Sequence, residues 1–167
     1  MRLGEPGEDG GMVDEPTRAE IERLVTRVLV RYAHAVDARD YDGVAACYWP
    51  DAHDEHADFS GDAVAYVAWL RDVLPPITTL THQFTNVLVD VQSAVDATSA
   101  AYCTNTLVFA GAPGEPDTHT TSCLRYLDRF ENRDGEWRII ERRVLTDWFR
   151  VEAPRSTQRI APGSPAS

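Results

Sequence analysis

Pro75-Pro76 divides this chain into two stretches of different periodicity, and that change restricts the fold more than any other feature. Two prolines in a row cannot extend a helix, because each lacks an amide proton and crowds the residue before it. Upstream, Ile21, Leu24, Val25, Val28, Leu29, Tyr32 and Val36 recur at helical spacing. Downstream, Val87, Val89 and Val91 alternate with Asn86, Leu88 and Asp90, the period of a strand. Helices first and strands afterwards, in a chain of 167 residues, describe one α+β domain with its helices packed on one side of an antiparallel sheet.

The boundaries follow from local signals. Thr17 with Glu20 reads as a capping box opening a long amphipathic helix that ends near Asp40. A short helix from Tyr41 to Trp49 follows, stopped by Pro50, and Asp51 to Phe59 has the mixed character of a short strand. Ser60 is the expected cap of a third helix, Gly61 to Leu74. Further strands are expected from Ala100 to Ala110, Thr118 to Glu131 and Glu136 to Trp148, the last two joined at Asp134-Gly135, a strong hairpin signal. Residues 1–16 and 151–167, rich in Gly, Pro and small polar side chains, read as tails without fixed structure around a domain at 17–150.

Charge and cysteine usage exclude several functions. A formal charge of -11 with no basic cluster argues against nucleic acid and against an anionic membrane surface. Cys47, Cys103 and Cys123 are odd in number and widely spaced, so free thiols in a reducing compartment are expected. No signal-peptide core and no membrane-length apolar run is visible, and the expected location is cytoplasmic. Nucleotide-binding glycine motifs, G-x-S-x-G and H-E-x-x-H are absent.

Three segments carry candidate chemistry. Asp37 sits at the margin of the first helix's apolar stripe, near a C-terminal end where an acid is disfavoured unless it has a partner. His82 lies in a mostly apolar strand, where a core role is the ordinary outcome. If the two meet, the carboxylate fixes the imidazole tautomer and leaves the other ring nitrogen to take a proton from a substrate. In His53-Asp54-Glu55-His56, strand alternation puts Ala52, Asp54 and His56 on one face and His53 and Glu55 on the other, a poor metal pattern. An inward His56 acting as a polar group in a pocket is the better expectation.

These segments, in this order, resemble a known family. Val36-Asp37-Ala38-Arg39-Asp40-Tyr41-Asp42, Thr81-His82-Gln83-Phe84-Thr85-Asn86, and Leu124 to Phe130 followed by Asp134-Gly135-Glu136-Trp137-Arg138-Ile139 resemble the SnoaL-like branch of the nuclear transport factor two-like superfamily. The resemblance runs from about Thr17 to Phe149, toward scytalone dehydratase, hexachlorocyclohexane dehydrochlorinase and bile-acid 7α-dehydratase. It implies a cone-shaped α+β barrel: three N-terminal helices on a strongly curved, mostly antiparallel sheet, with the active site inside the cone. It implies an Asp37–His82 dyad working without a cofactor, with Tyr32 beside it. His56 falls where scytalone dehydratase has a pocket tyrosine, and Phe109 where that enzyme has a second histidine. Arg143 is the expected anion-side contact, and Tyr48, Trp49, Phe109 and Tyr126 are expected against the substrate.

The expected function is a cofactor-independent lyase of the dehydratase type acting on a hydrophobic, cyclic small molecule. Its rivals are an isomerase or cyclase of a polyketide, terpenoid or steroid-like intermediate using the same dyad, and a non-catalytic small-molecule-binding module. A homo-oligomer, trimer or dimer, is expected because an open cone exposes a sheet face.

Overall fold

The computed structural model describes residues 15–152, with side chains from residue 17 onward. The expected N-terminal tail lies outside the described residues up to residue 14, and Glu15 and Pro16 instead open the first helix; the C-terminal tail lies outside them beyond residue 152, and Val151 and Glu152 instead complete the last strand. In chain order the elements are α1 (Glu15–Ala38), α2 (Tyr41–Ala45), β1 (Tyr48–His56), β2 (Phe59–Asp62), α3 (Ala63–Val73), β3 (Ile77–Val91), β4 (Asp96–Phe109), β5 (Thr118–Arg133) and β6 (Glu136–Glu152). No described helix is long and apolar enough to cross a membrane.

The strands form one sheet in the order β2-β1-β6-β5-β4-β3. Every pairing is antiparallel except β1 with β6, which is parallel. The sheet is curved but not closed, so the expected barrel is an open cone with free edges at β2 and β3. Register breaks between Thr85 and Leu88, Cys123 and Leu124, and Arg129 and Phe130 accompany that curvature, as bulges do. The helical stripe read from the sequence is the face of α1 that enters the core: Val25, Leu29 and Tyr32 are wholly buried.

Local chemistry corrects several boundaries. Thr17 lies inside α1, and Glu20 takes Arg23 at 2.7 Å rather than closing a capping box. Ser60 belongs to β2; α3 is capped by Asp62, whose carboxylate accepts from the Ala65 amide at 2.8 Å. The second helix ends at Ala45, and Pro50 lies within β1. Proline is tolerated there because the β1–β6 ladder is interrupted between Tyr48 and His53, so no bond needs its missing proton. The Asp134-Gly135 hairpin forms as expected, with both residues at positive φ (55° and 88°), as a type I′ turn requires.

The end of α1 matters most for the site. The Asp40 amide donates to the Ala35 carbonyl (2.8 Å) and the Arg39 amide to that of Val36 (3.0 Å), the double bond of a Schellman cap. Arg39 takes the left-handed position, φ 56°, that glycine usually fills. Its guanidinium donates to the Ile77 carbonyl, tying the helix end to the start of β3. Asp37 thereby lies in the last turn of α1 and faces that strand.

Candidate active site

A cavity of about 340 Å³ opens between α1, α3 and the concave face of the sheet. Much of its wall is apolar, supplied by Leu70, Leu74, Ile77, Leu80, Leu107 and Phe109. Polar side chains interrupt that wall, among them Tyr32, His56, Tyr66, His82, Asn105, Ser122 and Thr146.

Asp37 holds His82 at two points. Oδ1 lies 2.8 Å from the ring Nδ1, and Oδ2 accepts the main-chain amide of the same residue at 3.0 Å. The His82 side chain is 5% exposed, so its ring is fixed against water as well as by the carboxylate. A carboxylate at Nδ1 makes that nitrogen the proton donor, which leaves the Nε2 lone pair for the cavity the ring lines. The Tyr32 ring stands edge-on to the imidazole, with centroids 6.4 Å apart.

The opposite wall holds a second polar network. The Tyr32 and Tyr66 hydroxyls are 2.6 Å apart, and the Tyr66 hydroxyl lies 3.3 Å from Nδ1 of His56. Behind them Arg142, wholly buried, grips Asp128 with two bonds (2.8 and 2.6 Å) and donates to the Tyr48 hydroxyl at 3.0 Å. Because Tyr48 accepts from Arg142, its own proton goes to Oδ2 of Asp54, at 2.7 Å. Oδ1 of Asp54 has no hydrogen-bond partner; Nδ1 of His56 is 3.7 Å away. Burial pushes the Asp54 carboxyl up to about 6, against the opposing pull of Arg142 and Tyr48. Burial, with the charge of Arg142 beside it, takes His56 down to about 3, so this imidazole is neutral at ordinary pH. Burial likewise raises the Tyr32 phenol to about 12. One cation among two carboxylates, with the shorter bonds spent on Asp128, leaves Asp54 the acid most ready to hold a proton.

The structure brings Asp37, His82, Tyr32, His56 and Phe109 together at this cavity, as the sequence expectation had them. Four others fall elsewhere. Arg143 points to solvent beside Glu55 (3.5 Å), and Arg142 takes the interior position. The cause is the irregularity in β6: Trp137 and Ile139 face inward, Ile140 is the extra residue, and alternation resumes with Arg142 inward. Trp49 is committed to the Glu131 carbonyl (3.0 Å) and to the guanidinium groups of Arg133 and Arg138, away from the cavity. Tyr48 is buried with its hydroxyl spent on Asp54 and does not line the cavity. Tyr126 packs behind the lining, its ring 4.8 Å from Phe84 and 5.7 Å from His56. All three cysteines are free, and among the described residues no three His, Cys, Asp or Glu side chains gather as a metal site.

Sequence reasoning missed Tyr66, Asp54, Asn105 and Ser122 as parts of the site. Alternation within β1 had already put Asp54 on the face of His56, a usable signal. Asn105 and Ser122 could be found only through register: His82 pairs with Asn105, and Asn105 with Ser122, in one row across β3, β4 and β5.

Comparison with known proteins agrees with this architecture. An uncharacterized protein of Mycobacterium tuberculosis (strain H37Rv) is 34% identical over 136 residues, covering 79% of this chain and 86% of the relative. A type 2 hexachlorocyclohexane dehydrochlorinase superposes with a TM-score of 0.76 at 18% identity, over 90% of this chain and all of that one (100%). A candidate scytalone dehydratase from Novosphingobium aromaticivorans gives a TM-score of 0.71 at 19% identity, covering 91% and 99% of the two chains. At such identities these two structures speak to the fold alone. The family model described as the SnoaL-like domain matches residues 17–143, and the chain belongs to that family.

Proposed function

We propose that this protein is a cofactor-independent lyase that removes a proton from carbon in a hydrophobic, cyclic small molecule and expels a leaving group from the neighbouring carbon. The observation that carries the reading is the clamp of Asp37 on His82, which leaves one imidazole nitrogen toward a mostly apolar cavity. In this reading Nε2 of His82 takes the proton, Asp37 holds the ring and balances the imidazolium, and the carbon left behind pushes its electron pair into a new double bond. Tyr32 or His56 donates to the oxygen or leaving atom on which charge accumulates: the Tyr66 hydroxyl between them has one proton, and giving it to Tyr32 frees the Tyr32 proton, while giving it to Nδ1 of His56 leaves Nε2–H of His56 as the donor. The dehydrochlorinase and dehydratase names of the structural neighbours support a lyase over other outcomes of the same proton transfer. An isomerase or cyclase is the second reading, favoured by the linked hydroxyls of Tyr32 and Tyr66, which offer a route for returning a proton at another carbon.

The test is solvent-deuterium exchange and product mass on a panel of cyclic substrates. His82→Gln is expected to lose about two or more powers of ten in rate with the fold intact by circular dichroism. A loss of mass equal to water or hydrogen halide marks a lyase, and unchanged mass an isomerase. Full activity in His82→Gln rejects both, and turnover of nothing by the wild type leaves a binding module.

A further inference from the structure

Asp54 is wholly buried and does not line the cavity, yet one of its oxygens stands beside a residue that does. Oδ2 takes the Tyr48 proton at 2.7 Å, because the Tyr48 hydroxyl already accepts from Arg142. Oδ1 is buried with no hydrogen-bond partner, and Nδ1 of His56 lies 3.7 Å from it. That gap exceeds a hydrogen bond by about half an ångström, and contacts at reaction centres are often long until a substrate closes them. An unsatisfied carboxylate oxygen in an interior is costly, and two arrangements relieve it. An ionised Asp54 accepts from Nδ1–H, which leaves Nε2 of His56 with a bare lone pair. A protonated Asp54 donates from Oδ1 to Nδ1, and Nε2 then carries the hydrogen. His56 is neutral and has one ring hydrogen, so the nitrogen that bears it follows the state of Asp54.

We propose that Asp54 is a positioning residue and proton source: from Oδ1 it sets the His56 tautomer, so that Nε2–H of His56 and the Tyr32 hydroxyl donate into the cavity together. This deepens the function proposed above and rests on it for the identity of the base. The Tyr66 hydroxyl has one proton to give, either to Tyr32 at 2.6 Å or to His56 at 3.3 Å. With Nδ1 of His56 served by Asp54, that proton goes to Tyr32 and the Tyr32 proton is released to the cavity. Two donors suit a leaving group that must be protonated, a hydroxyl rather than a halide. His82 takes the C–H proton, and the C–H pair becomes the new double bond. The hydroxyl departs with the C–O pair and takes the proton of His56 Nε2, while Nδ1 takes the proton of Asp54. Water has then formed, with His82 an imidazolium and Asp54 a carboxylate. After product leaves, His82 gives a proton to solvent and Asp54 recovers one. The groups facing Asp54 and His56 are Tyr48 and His53 from β1, Tyr32 from α1, Tyr66 from α3, His82 from β3, Tyr126 and Asp128 from β5, and Arg142 from β6. Arg142 carries the fixed positive charge among them and is bound twice to Asp128, which leaves burial free to favour the protonated Asp54.

The experiment follows the His56 tautomer by long-range proton–nitrogen NMR on the isotope-labelled full chain, its resonances assigned by their loss in His56→Gln. The wild type is expected to carry Nε2–H at about pH 5 and Nδ1–H at about pH 8, crossing over near the value of about 6 that burial gives Asp54. Asp54→Asn, whose amide donates to Nδ1 and accepts from Tyr48 at any pH, should hold Nε2–H throughout. Tyr66→Phe should keep the crossover, because the proton comes from Asp54. A single tautomer across the range in the wild type, a crossover that Asp54→Asn retains, or one that Tyr66→Phe abolishes overturns the proposal. The wild-type titration needs no substitution, so it decides the matter even if a variant is unstable. The substrate panel described above is run in parallel with His82→Gln. If the tautomer follows Asp54 while His82→Gln keeps full activity, the relay stands and the assigned base falls. If turnover dies with His82 while the tautomer ignores Asp54, the base stands and the relay falls.

Discussion

Two imidazoles face one cavity, and what lies behind each ring sets its character. Asp37, 26% exposed, accepts from Nδ1 of His82; Asp54, wholly buried, faces Nδ1 of His56 with an oxygen that no group satisfies. The burial that raises Asp54 to about 6 from an ordinary 3.8 carries a stability consequence. A raised folded-state value means that the native protein binds the extra proton, so this group's contribution is complete below about 3.8 and is lost as pH climbs through about 6. The loss is on the order of 3 kcal/mol. Asp54→Asn mimics the protonated carboxyl and removes that dependence. Urea unfolding should therefore show the variant gaining on the wild type by about that amount between roughly pH 4 and pH 7, and parallel curves would show that Asp54 ionises freely. Asp54 was within reach of the sequence, because alternation shared its face with His56. Its partners Arg142 and Asp128 were not, since a buried pair from two strands looks like any other pair of charges until register is known.

At the scale of elements, periodicity served well where it ran unbroken and failed where one residue interrupted it. The apolar stripe of α1, the alternation of β3 and the Asp134-Gly135 turn were all legible, because each is a local consequence of side-chain direction or of φ. The step at Ile140 was not, and it carried Arg143 outward in place of Arg142. No propensity distinguishes a strand with an extra residue from one without. The start of α3 teaches a similar lesson: Ser60 and Asp62 are both good capping residues, and the choice fell to the one at the end of β2, directly before the helix. Asp62→Ala should cost about 1 kcal/mol in chemical denaturation, and Ser60→Ala much less. Equal losses would mean that the Asp62 cap contributes nothing beyond the β1–β2 hairpin.

For the molecule as a whole, the sequence foretold one α+β domain with helices on a strongly curved, open sheet, and that is the architecture found. The open cone leaves Leu88, Tyr102 and Leu127 exposed on one outer face, related through the β3–β4–β5 register. We expect that face to meet a second copy, so sedimentation should give more than one chain per particle, and a charged residue at Leu127 should lower that number. A single-chain mass for the wild type at assay concentration would refute it.

Asp37 has one more consequence, which reaches beyond chemistry. β3 is the last strand of the sheet, and the main-chain amide of His82 points out of its free side. An unsheltered edge invites another strand to add to it. The carboxylate that orients the imidazole also occupies that amide, so the chain guards this border with the same group it would use at the reaction centre. On the function proposed above, losing Asp37 would therefore cost solubility together with turnover.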